Sequence, residues 1–277
     1  MELYNDVCLK TSKLTTQKYS TSFSLGIKLL SKKIHNPIYA IYGFVRYADE
    51  IVDTLYGHDQ KKLLDKFRED TYQAIEEKVS TNPILHSFQW VVREYSIQRE
   101  LIDAFLNSME MDLYFADYNE SRVKEYIYGS AEVVGLMCLR VFYQNNEEKY
   151  QELSYFARKL GEAFQKVNFL RDIQSDFMDR GRNYFPQLKI ENFDLQTKKR
   201  IEDDIEHDFN EAYKGIQQLN LDARLGVYIA FAYYRRLFAQ IKNAKPHEIM
   251  ETRFSVPNWE KLMILASAWG RKQVGLI

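Results

Sequence analysis

Glycine and proline are scarce in this chain, 11 and 5 of 277 residues, and the shortage argues against architectures that need many tight turns, such as β-sandwiches and barrels. Cysteine is scarcer still. Cys8 and Cys138 lie far apart in sequence and in no metal-ligand spacing, so no disulfide framework is indicated and a reducing interior is the simpler setting. No long apolar run occurs: the longest stretch, residues 133–143, is interrupted by Arg140, so no membrane span is expected. Neither charge dominates, with 38 basic against 39 acidic residues and a net charge of -1. A nucleic-acid partner, which calls for a clustered basic surface, is therefore not expected. The N-terminus, Met1-Glu-Leu-Tyr-Asn-Asp6, lacks the basic-then-apolar pattern of a signal peptide, and the expected setting is cytoplasmic.

What the chain has in quantity is apolar and aromatic side chains, 45% hydrophobic with 20 Tyr and 17 Phe. They recur every three to four residues, so the reading is helix after helix with short connections, an all-α single domain over residues 1–277. Helices are expected over about 3–18, 37–55 with Asn36 as cap and Pro37 first, 59–79, 83–95, 98–115, 146–181, 196–219, 222–243 and 258–275. Most aromatics belong in the core, and a minority can line a cavity for a large apolar ligand.

Two stripes stand out. Gln165-Lys-Val-Asn-Phe-Leu-Arg-Asp-Ile-Gln-Ser-Asp176 spaces Gln165, Asn168, Asp172 and Asp176 three or four residues apart, which is one helix face. Upstream, Arg46-Tyr-Ala-Asp49-Glu-Ile-Val-Asp53 places Arg46, Asp49 and Asp53 likewise. One acidic pair alone reads most simply as a surface pair. Two pairs in apolar surroundings, able to face each other, read as a site for a multivalent cation, because burying uncompensated carboxylates is costly and such a cation offsets that cost. Oxygen ligands offered in ones and twos, with water and phosphate completing the shell, suit Mg2+.

The stretch Tyr126-Ile-Tyr128-Gly129-Ser-Ala131-Glu-Val-Val-Gly135 carries two glycines in a helical pattern, at about 1 kcal/mol each relative to alanine. Close helix packing is one explanation. The other is a slot, with a kink, that lets a long apolar chain pass. The basic aromatic loop Arg180-Gly-Arg182-Asn-Tyr184-Phe-Pro186 is suited to clamping phosphate. The acidic residues of Met109-Glu-Met-Asp112 are placed outside the site.

These motifs resemble the squalene/phytoene synthase family of head-to-head prenyl synthases, over most of the chain. Tyr19-Ser20-Thr-Ser22-Phe23 is similar to the family's hydroxyl-rich diphosphate contact, and the two stripes to its aspartate-rich motifs. Tyr126, Gly129, Ala131 and Gly135 match its channel helix, Arg182 to Pro186 its following loop, and Tyr234 a late-helix tyrosine. Two positions depart from the pattern: Glu50 stands where Asp is frequent, and Glu132 where a small residue is usual, which leaves the channel's shape open.

The resemblance implies the isoprenoid synthase fold, helices around a central cavity. It also implies magnesium-dependent condensation of two geranylgeranyl diphosphates through a cyclopropyl diphosphate to phytoene, in carotenoid biosynthesis. Asp49, Asp53, Asn168, Asp172 and Asp176 would hold Mg2+, with Mn2+ as substitute. Tyr19, Ser20, Ser22, Arg46, Gly129, Ala131, Gly135, Gln165, Asn168, Arg171, Arg182 and Tyr184 would contact substrate. Tyr126 and Tyr234 would face carbocations. NADPH is not expected, because a phytoene-type reaction ends in proton loss. The alternatives are a C30 synthase acting on farnesyl diphosphate, a terpene cyclase on the same fold, and a non-catalytic assembly factor. Peripheral membrane contact is expected for a hydrocarbon product, and no oligomeric state follows from the sequence.

Overall fold

In the computed structural model, which describes residues 1–114, 118–178, 181–185 and 193–273, the periodic segments become helices. They are α1 Glu2–Tyr19, α2 Thr21–Lys28, α3 Lys32–Asp53, α4 Gln60–Glu77, α5 Pro83–Glu94, α6 Arg99–Tyr114 and α7 Glu120–Ile127. After a π-helical turn, Tyr128–Glu132, come α8 Val133–Phe142, α9 Glu147–Met178, α10 Leu195–Gln218, α11 Arg224–Asn243, α12 Pro246–Glu251 and α13 Asn258–Gln273. The fold is all-α, as expected. Arg180 and Pro186 of the basic loop lie outside the described residues.

Local chemistry sets most helix starts. Ser20, Asp59, Asn82, Asn119 and Asp194 each accept a first-turn backbone N–H through the side chain, satisfying a donor that the helix itself leaves free. The Asn36-Pro37 start fails: α3 begins at Lys32, and Pro37 lies inside it. Tertiary contact overrides the local signal, since Ser31 N–H donates to the Asp222 carbonyl at 2.8 Å and Ile34 is buried. The short helix α12 was not expected either.

One core cluster joins α2 to α6 with α8. At its centre Phe44 stacks on Phe88 with ring centroids 3.8 Å apart and meets Phe67 and Phe105 at 5.5 and 5.4 Å. Full burial of each ring contributes roughly 1.5–3 kcal/mol. A second cluster joins α9, α10, α11 and α12. Between α9 and α10 the fully buried Asp208 accepts from Lys159 at 2.8 Å and Lys166 at 2.7 Å, so charge is buried only where it is paired.

Both glycines of the channel stretch mark close helix approaches. A Cβ on Gly129 would lie 2.3 Å from the Ala104 carbonyl oxygen, and one on Gly135 would lie 2.9 Å from that of Ala157. Packing is thus the reason for both. The kink is also present, as the π turn that carries Gly129, Ala131 and Glu132, an irregularity common at functional sites.

Candidate active site

The clusters leave between them a cavity of about 400 Å³ walled by α2, α3, α8, α9, α10 and α11 and by Ser130 and Ala131 of the π turn. Its wall is apolar over most of its length, with Ile27, Leu30, Val134, Phe156, Ile216 and Val227 among its members. Polar side chains gather at one end: Arg46 and Asp49 from α3, Gln165 and Asn168 from α9. One end of each stripe thus lines the same cavity, Arg46 with Asp49 and Gln165 with Asn168, whereas Asp53, Asp172 and Asp176 are not among the lining residues.

Each acidic stripe is backed by arginine. Arg46 donates to Asp49, pairs with Glu50 and lies 4.4 Å over the Tyr19 ring. Arg182 Nη1 donates to Asp53 Oδ1 at 3.1 Å. Asp172 accepts from Arg171 Nε at 3.0 Å and from Arg253 Nε at 2.7 Å. Burial works to raise the Asp172 carboxyl, but the two guanidiniums outweigh it and hold the group below the ordinary carboxylate range. Asp176 is buried, and its carbonyl accepts the Arg182 N–H at 2.7 Å, a reversal made possible by Gly181 at φ +65°.

The remaining expected residues divide. Tyr234 lines the cavity, stacks on Phe164 at 3.9 Å, and donates its hydroxyl to Asn168 Oδ1 at 3.2 Å; burial pushes its phenol up to about 12. Ala131 and Gly135 are in the wall, whereas Gly129 faces α6 instead. Ser20 caps α2 beside Phe23 of the cavity wall, and Ser22 lies in that helix's first turn. Tyr126 is not among the cavity-lining residues. Its hydroxyl donates to Asp112 Oδ2 at 2.8 Å, and its ring packs with Tyr118, Phe169 and Tyr184. Glu132 is absent from the wall as well: it is buried against Arg158 Nε at 2.6 Å, so it does not narrow the channel.

Asp112, placed outside the site by the sequence, adjoins it. Its carboxylate also accepts from Tyr184 at 2.8 Å and Tyr118 at 3.2 Å. Burial pushes this carboxyl up, against the pull of Arg182 and the phenols. Arg253 was not among the expected site residues, yet it reaches Asp172 across 81 positions.

The donor set fits Mg2+ in kind. Asp49, Asp53, Asp172 and Asp176 offer hard carboxylate oxygens and Asn168 an amide oxygen, on two helices. Among the described residues no three acidic, histidine or cysteine side chains form a ready metal cage. Hard oxygens offered in ones and twos are what Mg2+ takes alongside phosphate and water.

A family model described as "Squalene/phytoene synthase" matches residues 16–260, a span that includes both aspartate stripes and the whole cavity wall. The chain belongs to that family. It is a prenyltransferase of this head-to-head class. It is 29% identical over 297 aligned positions to a 15-cis-phytoene synthase of Synechocystis sp., covering 94% of this chain and 83% of that one. It is 23% identical over 265 positions to a 4,4'-diapophytoene synthase of Staphylococcus haemolyticus, covering 88% and 90%. Among solved structures, a dehydrosqualene synthase in complex with ligand superposes with a TM-score of 0.83 at 20% identity, covering 98% of both chains. This squalene/phytoene synthase fold is the isoprenoid synthase fold. The curated relatives are synthases, so the non-catalytic alternative loses its support.

Proposed function

We propose that the enzyme condenses two geranylgeranyl diphosphates head to head, through a cyclopropyl diphosphate, to phytoene. The observation that carries the reading is the cavity, with diphosphate-type side chains at one end and an apolar wall behind them. Along α9 the wall runs from Asn168 back to Leu153, about 22 Å at ~1.5 Å per residue, the length scale of an extended twenty-carbon tail.

Mg2+ bound by Asp49, Asp53, Asn168, Asp172 and Asp176 would supply the charge that lets diphosphate depart. The chain's own groups do the rest. Arg46, Arg171 and Arg182 present N–H donors beside the carboxylates, and Ser20 and Ser22 add hydroxyls. The apolar wall keeps water from quenching the allylic cation. The stacked rings of Tyr234 and Phe164 present π-faces at the polar end, worth up to about 2 kcal/mol to a desolvated cation. Tyr126 lies behind the wall, so it acts through the loop it anchors.

Farnesyl diphosphate with a C30 product is the second reading, favoured by the likeness to the 4,4'-diapophytoene synthase. Both diphosphates are supplied with Mg2+, with and without NADPH, and the hydrocarbon is identified. A C40 product without NADPH is expected. A C30 product alone, with no C40 coupling from the longer substrate, overturns the proposal.

A long hydrocarbon has to leave into lipid, and no described helix is long and apolar enough to cross a membrane. Contact at the surface falls to α13, whose outward face exposes Trp259, Leu262, Met263 and Trp269. These positions fall within one stripe of the helix, with cationic Lys261 and Arg271 outside it. Tryptophans with flanking cations suit an anionic lipid interface. Flotation with anionic vesicles should carry the wild type and lose the Trp259→Ala, Trp269→Ala double variant; equal flotation of both assigns the contact elsewhere.

A further inference from the structure

Arg182 sits between two carboxylates of different standing. Asp53 belongs to the acidic stripe of α3. Asp112 lies on α6, with its side chain 3% exposed, and belongs to neither stripe. Arg182 Nη1 donates to Asp53 Oδ1 at 3.1 Å and stands 3.6 Å from Asp112 Oδ1, while Nη2 donates to the Asp112 backbone carbonyl at 3.0 Å. The Arg182 backbone N–H meets the Asp176 carbonyl at 2.7 Å. One residue therefore ties α3 and α6 through its guanidinium and the end of α9 through its backbone N–H.

Three phenols complete the arrangement. Tyr118 and Tyr184 donate to Asp112 Oδ1, and Tyr126 donates to Oδ2. Tyr184 stacks on Phe169 at 4.2 Å and 6°, which fixes the loop strand against α9. The carboxylate is thus held by four groups on three stretches, Tyr118, Tyr126 on α7, and the Arg182–Tyr184 loop, and its geometry leaves the Arg182 guanidinium little freedom to swing.

We propose that Asp112 is the positioning residue of the metal-binding end. It supplies the counter-charge that holds Arg182 when a cation takes over Asp53. Without that counter-charge, Asp53 is the carboxylate at hydrogen-bond distance from Arg182 among the described residues. The arginine then competes with the cation for it. Asp112 and the three tyrosines lie outside the cavity wall, and the charge of Asp112 acts on the Arg182 guanidinium that also holds Asp53. The inference rests on the metal site of the proposed function and on no particular substrate length.

The test uses Mn2+ together with inorganic pyrophosphate, titrated into the full chain and followed by the electron paramagnetic resonance of free Mn2+. Wild type, Asp53→Asn, Asp112→Asn and Tyr118→Phe are compared, with melting temperatures. Asp112→Asn keeps the shape of the side chain and removes its charge. The expected result is about tenfold weaker Mn2+ binding in Asp112→Asn, about 1.4 kcal/mol, with a matching rise in the Mg2+ needed for half-maximal turnover. Tyr118→Phe, which removes a hydrogen bond and leaves the charge, should lower the melting temperature without moving the Mn2+ curve. Unchanged Mn2+ binding in Asp112→Asn, with a lowered melting temperature, overturns the inference and makes Asp112 purely structural. Wild type and Asp53→Asn binding alike would instead overturn the metal site itself. Should Asp112→Asn fail to fold, Arg182→Lys provides the second arm. A lysine cannot reach both carboxylates with a fixed fork, and the same shift is expected; no shift overturns the inference.

Discussion

The Tyr234 hydroxyl donates to Asn168 Oδ1 at 3.2 Å, which joins the aromatic wall of the cavity to the polar stripe of α9. One tyrosine therefore has two separable parts, a hydroxyl that orients an amide oxygen and a ring that stacks on Phe164 at 3.9 Å. Tyr234→Phe removes only the hydrogen bond, about 1 kcal/mol, and should lower kcat about fivefold. Tyr234→Ala also removes the π-face, up to about 2 kcal/mol more, and should cost a further tenfold or greater. Steady-state kinetics of both variants decide the matter: equal losses would assign the role to the hydroxyl.

Asp172 carries a stability consequence as well as a catalytic one. A crowded carboxylate cluster read from the sequence alone would gain metal-free stability on losing a charge. The structure reverses this expectation, because Arg171 and Arg253 hold Asp172. Asp172→Asn should cut turnover at least about 100-fold and should also destabilise the fold by about 1.5–3 kcal/mol at neutral pH. Chemical denaturation at pH 7 measures the second effect, and an unchanged midpoint would contradict it.

The same pair predicts a pH dependence. The Asp172 carboxyl is held below its ordinary value in the folded chain, so the unfolded state binds the proton first as pH falls. Stability from the pair is complete above about pH 4, near the unfolded value, and is lost as pH drops through the lower folded value. The difference in stability between wild type and Asp172→Asn should therefore be constant from pH 7 to about 5 and shrink below about 4. Unfolding curves at matched ionic strength check this, and a gap that widens toward acid would refute it.

Gly215 offers a test of the cavity's packing. A Cβ there would lie 2.2 Å from the Phe156 Cβ, and both residues line the cavity. Gly215→Ala must displace that ring, at about 1–3 kcal/mol. The melting temperature should fall, and substrate KM should change because Phe156 moves within the wall. Retention of both would show that α10 can shift away from α9 at little cost.

Most of the helices and both aspartate stripes were readable because their signals are local. Asp59, Asn82 and Asp194 cap where capping chemistry places them, and the stripes repeat at helical spacing. The start of α3 was not readable, since it depends on Ser31 meeting Asp222, a contact between residues far apart in sequence. Asp112 was passed over for a similar reason: its partners Tyr118, Tyr126, Arg182 and Tyr184 lie on other elements. A usable signal existed nonetheless. Leu101, Phe105, Ser108 and Asp112 share one face of α6, and a carboxylate on a helix's buried face requires a partner. Tyr126 was assigned to the cavity by resemblance, and only three-dimensional packing shows it behind the wall. Gly129 was read as either close packing or a slot, with a substrate contact implied by the resemblance, and the Ala104 carbonyl fills that space.

Tail length is tested best where the wall is least strained. Val227 on α11 lines the cavity while remaining only half-buried, next to Gly226, which itself packs against Leu30 just past the end of α2. These residues lie at the apolar end, since α11 reaches the polar end only at Tyr234, two helical turns later. Val227→Phe puts added volume where the last isoprene unit of a twenty-carbon tail would lie and leaves the aspartate stripes untouched. Burying that unit is worth roughly 0.8 kcal/mol per carbon, about 4 kcal/mol for five carbons, so partial exclusion should lower kcat/KM for geranylgeranyl diphosphate by ten- to a thousandfold. On the proposed geometry a fifteen-carbon substrate would stop short of this end, and its kcat/KM should change by less than about threefold. Competition between the two diphosphates in one reaction reads the ratio directly. If both rates fall together, the apolar end does not hold the tail terminus, and the proposed geranylgeranyl diphosphate reading loses the cavity length as its support.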